Sequence, residues 1–165
     1  MSHFLYDWMP TFIAAAGVTV LGASGMLLTK IGPWYYALKK PSWQPPDWLF
    51  GPAWTVIFIL EAASAVIGWH AARSPGAAMV LIAAYVANGL LNILWSFLFF
   101  YRRRPDFALA EVGFLWLSIV GMMLVLHHEA GLVWIFLLPY LLWVSFASLL
   151  TYTIVRLNAP FERAA

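Results

Sequence analysis

The stretch "WYYALKKPSWQPPDWLFGPAW", Trp34 to Trp54, holds four tryptophans, two tyrosines and four prolines, with no histidine, no cysteine and Asp47 as its one acid. Rigid side chains crowd together here, and groups that carry acid–base chemistry are scarce. What such a segment faces follows from its surroundings, which are apolar over long runs. Across 165 residues the chain is 64% hydrophobic and 10% charged, with a mean hydropathy of +0.83. A water-soluble domain carries roughly 25% charged residues, so this chain lacks the polar surface to meet water on all sides. Residues 1–165 read as a single membrane domain, with no length to spare for a soluble module.

A helix crosses the hydrocarbon core with about 20 apolar residues. Runs of that length predict spans at about 9–29, 52–72, 75–101, 106–126 and 130–155, with Glu61 inside the second and Glu111 inside the fourth. The alternation that a membrane barrel needs is missing. Irregular backbone facing lipid would leave polar groups unsatisfied. The expectation is an all-α integral membrane protein, a five-transmembrane-helix bundle with a long aromatic and proline-rich first loop at 30–51. The first ten residues carry no Lys or Arg, whereas a cleaved signal peptide starts basic, so the first run is expected to stay as a span. The absence of cysteine excludes disulfides, thiolate metal sites and a cysteine nucleophile.

Five spans place the termini on opposite sides. Lys30, Lys39, Lys40, Arg102, Arg103, Arg104, Arg156 and Arg163 fall on one side and Arg73 alone on the other. By the positive-inside rule the C-terminus and segment 30–51 face the cytoplasm and the N-terminus faces out, in what is expected to be a bacterial cell membrane. Topology thus accounts for the basic residues behind the pI of 9.0, and no nucleic-acid partner is expected.

Loops longer than about 12–15 residues tend to be lids, binding loops or disordered, and aromatic richness argues against disorder. Pro41, Pro45 and Pro46 restrict their own φ and the residues before them, so the segment is stiff. Two readings fit. Trp34, Tyr35, Trp43 and Trp48 form an aromatic belt at headgroup level, or the segment is a rigid lid over the cytoplasmic mouth, presenting flat rings to a flat apolar ligand.

The pattern Trp34-Tyr35, Leu38, Lys40-Pro41, Trp43, Pro45-Pro46, Trp48 and Trp54 resembles the signature of the TspO/translocator protein family, also called tryptophan-rich sensory proteins or peripheral-type benzodiazepine receptors. Asn92-x-x-Trp95, Phe99-Phe100, Pro139-Tyr140-x-x-Trp143 and Phe146-Ala147 extend the likeness over nearly the whole chain. The resemblance implies a five-helix bundle, homodimeric through its third helix, with a sensory or regulatory role. It implies binding of porphyrin, haem and other tetrapyrroles, of sterols and of benzodiazepine-type ligands. Light-dependent porphyrin breakdown has been attributed to some members.

Helical spacing puts Trp54, Phe58, Glu61 and Ala65 on one face of the second span. Tyr85, Asn88, Asn92, Trp95 and Phe99 share a face of the third, and Tyr140, Trp143, Ala147 and Leu150 share one of the fifth. Such stripes serve equally as interhelical packing or as the walls of a concave apolar pocket with few polar groups. The resemblance implies the pocket. It sets Trp54 and Trp143 at two tryptophans tied to porphyrin handling, and Asn92, Tyr140 and Ala147 at cavity positions. Trp34, Trp43, Phe58, Trp95 and Leu150 complete the expected ligand set, and Ala147 leaves room beside the ring plane.

A carboxylate at mid-membrane costs about 2.5–3.5 kcal/mol on insertion scales, which marks Glu61 as a candidate pocket acceptor. Glu111 is expected to snorkel towards Arg102–Arg104. Asn88 reads as a hydrogen-bonding link between helices, and Ala83, Ala87 and Gly89 as a small-residue strip suited to a dimer interface. Leu150-x-Tyr152-x-x-x-Arg156 fits a weak pattern proposed for sterol contact, with Thr151 where the family usually has Asn. His3, His70, His127 and His128 lie at span edges, and the divergent side chains of His127-His128-Glu129 suit a wet interfacial loop, so no metal site is expected. Nucleotide loops, nucleophile elbows and zinc spacings are lacking, and a haem in the pocket would find no axial ligand. No resident cofactor is expected. A tetrapyrrole would bind by its ring faces, with its propionates at Lys39, Lys40 or the loop amides.

Three functions follow, of which the first is expected: a receptor or carrier for tetrapyrroles. The second is a light- and oxygen-dependent porphyrin-degrading enzyme, with Trp54 and Trp143 as redox partners. The third is a regulatory membrane interaction protein.

Overall fold

In hydrocarbon a backbone N–H finds no water, so apolar runs of this length satisfy their backbones internally as helices. In the computed structural model, which describes residues 2–161, they do so, and no strand occurs among those residues. The helices are α1 (Ser2–Leu28), the short α2 (Pro33–Ala37), α3 (Phe50–Ala71), α4 (Pro75–Ser96), α5 (Pro105–Ala130) and α6 (Leu138–Asn158). Helices α1, α3, α4, α5 and α6 are 27, 22, 22, 26 and 21 residues long, or roughly 30–40 Å at 1.5 Å per residue.

Four continuous helical stretches are long and apolar enough to cross a membrane: Asp7–Leu28, Asp47–Ala71, Pro75–Tyr101 and Pro105–Asn158. The last is 54 residues long and doubles back through a 3-10 segment at Gly131–Leu137, so that α5 and α6 pack against each other. Gly131 makes the reversal possible: its φ of 63° and ψ of −121° suit a residue without Cβ. Large apolar side chains are exposed on every long helix, among them Phe12, Ile59, Leu90, Leu117 and Leu142. The chain is a multi-pass membrane protein.

The helix ends depart from the apolar runs in three places. Residues 127–129 stay helical, and the turn comes later, at 131–137. Glu129 makes this tolerable at the membrane edge, because Oε2 accepts the Arg73 N–H at 3.1 Å and Oε1 lies 2.6 Å from His128 Nδ1. At the end of the third run, regular α geometry stops at Ser96. Phe97–Tyr101 then form a wider π turn, closed by Arg102 N–H to Phe97 O at 2.8 Å. Finally, the connection between α1 and α3 is built of α2 and a 3-10 turn at Asp47–Leu49.

Helix α5 is central. Its Val112, Leu115, Ile119, Met122 and Leu126 are buried with Ile57 of α3, Leu81 of α4, and Tyr140 and Val144 of α6. Helix α1 lies at the margin, against α3 and α4. Lys30 sits over the Tyr101 ring, Trp34 meets Phe99 and Lys39 meets Asn158, so segments 30–46, 97–104 and 146–158 share one end of the bundle. Arg73 and Glu129 mark the other. Arg163, counted with the first group from the sequence, lies outside the described residues, as does the side chain of His3.

Gly68 lets α3 approach its neighbours: a Cβ there would stand 2.7 Å from Leu126 Cδ2 and 3.1 Å from Leu81 Cδ2. Overpacking of this kind costs about 1–3 kcal/mol. Gly68→Ala is expected to lower the thermal midpoint in detergent. Gly113→Ala, where nothing lies within 4 Å, is expected to hold or raise it through better helix propensity.

Candidate functional site

The connection at 29–49 holds itself together. Tyr35, 6% exposed, donates its hydroxyl to Asp47 Oδ1 at 3.0 Å and accepts from Gln44 Nε2 at 3.2 Å. Lys40 Nζ stands 3.8 Å from the Tyr35 ring centroid, a cation–π contact. Burial, and next the Asp47 carboxylate, push the Tyr35 phenol from 10.0 up to about 12, against the opposing Gln44 donation. The connection is fastened to the end of α6 by both polar atoms of one amide. Asn158 Oδ1 accepts the Lys39 N–H, and Asn158 Nδ2 donates to Lys39 O, each at 2.8 Å.

So fastened, the connection lays its rings on those of the bundle. Trp34 meets Phe99 edge-on at 6.3 Å, and Trp43 meets Phe146 at 5.9 Å. Phe50, at the head of α3, meets Trp143 at 5.4 Å. The π turn brings both Phe99 and Phe100 inward: Trp95 stacks on Phe99 at 5.2 Å, and Phe99 and Phe100 are 4.7 Å apart. Trp143 reaches Phe146 at 5.7 Å, and Trp54 packs on Phe58 and Tyr140.

Below these rings runs a polar chain across three helices. Asn92 Nδ2 donates to the Tyr140 hydroxyl, which donates to Asn88 Oδ1, each at 3.1 Å. Asn88 Nδ2 donates to Ser118 Oγ at 2.8 Å, and Ser118 donates to Leu115 O. Asn88 and Asn92 therefore link α4 to α5 and α6, as the sequence suggested for Asn88.

The residues expected to bind ligand gather at the end of the bundle under the connection, in two adjoining groups. Trp54, Phe58, Tyr140 and Trp143 belong to the main core, with Asn92 bonded to Tyr140. Trp34 and Leu150 belong to a second cluster with Tyr35, Phe99, Ala108 and Ile154, and Trp95 touches both. Trp43 lies over Phe146, and the next residue, Ala147, is half-buried. The rings fill this region by touching one another.

A cavity of about 480 Å³ lies elsewhere, between α1, α3 and α4, and none of the ten expected ligand residues lines it. The face expected to join Trp54, Phe58, Glu61 and Ala65 is divided. Trp54 turns towards α6, while Glu61 and Ala65 line the cavity. Sequence gave no notice of its α1 wall, because α1 is apolar all round and shows no distinctive stripe.

Other expectations are corrected. Glu111 does not reach the basic cluster: it is 7% exposed, on the buried face of α5, with both carboxyl oxygens lacking a hydrogen-bond partner. Arg104 pairs instead with Asp106 and lies on the Phe107 ring. Gly89 turns inward against Leu21 of α1, leaving only Ala83 and Ala87 exposed. Leu150 is buried while Tyr152 and Arg156 point outward, so these three share no surface. The expectation for Lys39 and Lys40 is not corrected: Lys40 Nζ lies over the Tyr35 ring, and Lys39 gives only its backbone to the Asn158 clasp, its side chain being exposed. Sequence reasoning missed Gln44, Asp47 and Asn158 as fasteners. Their one signal was a polar residue at the edge of an apolar or aromatic run.

Two outcomes follow. Tyr140→Phe strands Asn88 Oδ1 and is expected to cost about 1–2 kcal/mol, read as a lower thermal midpoint. The Tyr35 phenol is expected to ionise near pH 12 in the folded chain and near 10 when unfolded. Its contribution to stability is whole below pH 10 and is lost as the pH rises through 12. An ultraviolet difference titration against Tyr35→Phe checks this.

The model of the TspO/MBR family matches residues 11–157. The tryptophan-rich protein TspO of Chlorobaculum tepidum is 41% identical over 144 residues, covering 84% of this chain and 89% of that protein. Protein CrtK of Rhodobacter capsulatus is 34% identical over 152 residues, covering 92% of each. The human translocator protein is 29% identical over 126 residues, covering 76% of this chain and 75% of its own. With a match that runs from the first long helix to the last, the chain belongs to the TspO/MBR family.

Proposed function

We propose that this protein is a membrane receptor or carrier that binds a tetrapyrrole between the aromatic connection at 29–49 and the rings of α3, α4 and α6. The observation that supports this reading is the two-sided aromatic contact. Trp34 and Trp43 come from above and Phe99, Phe146 and Trp143 from below, with small Ala147 among them. The contacts between the two sides are edge-on and each is worth only about 0.5–1.5 kcal/mol beyond the area buried. A flat ring can replace them with broader stacking. The basic residues of that end, Lys39 and Arg102 among them, suit propionates at the rim, and by the positive-inside rule this rim faces the cytoplasm. Sterols fall outside the proposal, because Leu150 does not share a surface with Tyr152 and Arg156.

Titration of the purified protein with protoporphyrin IX in the dark, followed by tryptophan quenching, tests the reading. Saturable binding is expected, weakened tenfold or more (about 1.4 kcal/mol per tenfold) by Ala147→Leu, with the pigment intact after illumination. Quenching that never saturates and ignores Ala147→Leu overturns it. Pigment loss under light that requires Trp143 points to the enzyme instead.

A further inference from the structure

The cavity between α1, α3 and α4 has no part in that proposal. Its volume of about 480 Å³ is that of a small-molecule site, and its wall is almost entirely apolar. Glu61 is its one charged residue. That residue is 3% exposed, and its Oε2 is buried without any hydrogen-bond partner.

The hydroxyls of Ser64, Tyr85 and Tyr140 are already committed, that of Tyr140 to Asn88. Ser64 donates its single proton to the backbone carbonyl of Glu61 at 2.7 Å. The Tyr85 hydroxyl, 2.7 Å from Ser64 Oγ, must then be the donor in that pair. None of these protons is left for the Glu61 carboxyl. A buried acceptor without a donor is costly, and a carboxyl at membrane depth marks a functional position. The rim residues Ile13, Val86 and Leu90 are exposed on the outside of the bundle, so the way in leads from the hydrocarbon.

We propose that this cavity is a second ligand site, which takes a compact lipophilic amine from the membrane and pairs its nitrogen with Glu61. The chemistry selects the class. An apolar body fits the wall, and a single head must give a proton. An amine and a carboxyl neutralise each other, so the pair sits in low dielectric without net charge. The resulting charge-assisted bond is roughly twice as strong as a neutral one. An alcohol of the same shape makes only the neutral bond, and a carboxylic acid sets two acids against each other.

Three probes with one body separate these cases: pyrene-1-methylamine, pyrene-1-methanol and pyrene-1-carboxylic acid, added to the full chain in lipid nanodiscs. Trp69 in the cavity wall is one of ten tryptophans that pass energy to the pyrene, and the part of the transfer lost in Ala65→Phe is the cavity's share. Saturable transfer is expected, with the amine at least tenfold tighter than the alcohol and the acid weakest. Glu61→Gln should bring the amine down to the level of the alcohol, and Ala65→Phe, which fills the cavity, should abolish the saturable transfer from both. Saturating protoporphyrin IX should leave amine binding unchanged, so this site and the aromatic one stand or fall separately. Equal binding of the three probes overturns the proposal and marks a gap filled by lipid chains or by a second copy. Amine binding that survives both Glu61→Gln and Ala65→Phe overturns it too. Should Glu61→Gln fail to fold, the loss of amine binding in Ala65→Phe still decides.

Discussion

The Tyr140 hydroxyl accepts one hydrogen bond from Asn92 and gives another to Asn88 at the middle of the bundle, and Asn88 carries the chain on to Ser118. Helices in lipid gain little by hiding apolar surface from one another, since the lipid is as apolar as they are. Their register rests on close packing and on a few polar contacts. Here those contacts tie α4, α5 and α6 at one level. The aromatic faces of α4 and α6 then come opposite each other, and the end of α6 arrives where the 29–49 connection can be fastened to it. Were α6 to slide by one turn, Trp143 would leave Phe50 and Phe146 would leave Trp43.

The bundle holds two kinds of interior. Around Trp95, Phe99 and Trp143, large rings meet one another, stacked, tilted or edge-on, under a fastened cover. Between α1, α3 and α4, small residues such as Ala65 and Gly89 leave open space with one carboxyl in the wall. The difference follows from side-chain size: tryptophan and phenylalanine fill the one end, alanine and glycine thin the other. Helix α1 packs at the margin against α3 and α4, which suits it to bound an opening rather than a core.

Much of this was written in the sequence at the level of elements. Apolar runs gave the long helices, because length and hydropathy alone decide whether a segment can cross. The end that gathers the basic residues could be read from their positions. Trp54 could be grouped with Phe58, and Tyr140 with Trp143, by helical spacing, since a stripe at i, i+3, i+4 survives any rigid rotation of the helix. The direction each stripe faces could not. It depends on crossing angles, which is why Glu61 parted from Trp54; Gly89 parted from Ala83 because six residues carry it to another side of the helix. The turn at Gly131 was placed early because His127, His128 and Glu129 look like loop residues. They stay helical, with Glu129 held by the Arg73 N–H across the fold and by His128 beside it. Glu111 looked set to reach the arginines, but its place on the buried face of α5 prevents it.

The clasp between Lys39 and Asn158 joins a backbone to a side chain, and the two halves are unequal. Both bonds use the main-chain N–H and C=O of position 39, which every residue except proline offers. At position 158 both bonds come from one carboxamide, and a carboxylate would lack the donor that half of the clasp requires. Sequence drift at 39 therefore leaves the cover seated as long as proline is avoided. At 158, by contrast, drift unseats it even when the substitute matches asparagine in size.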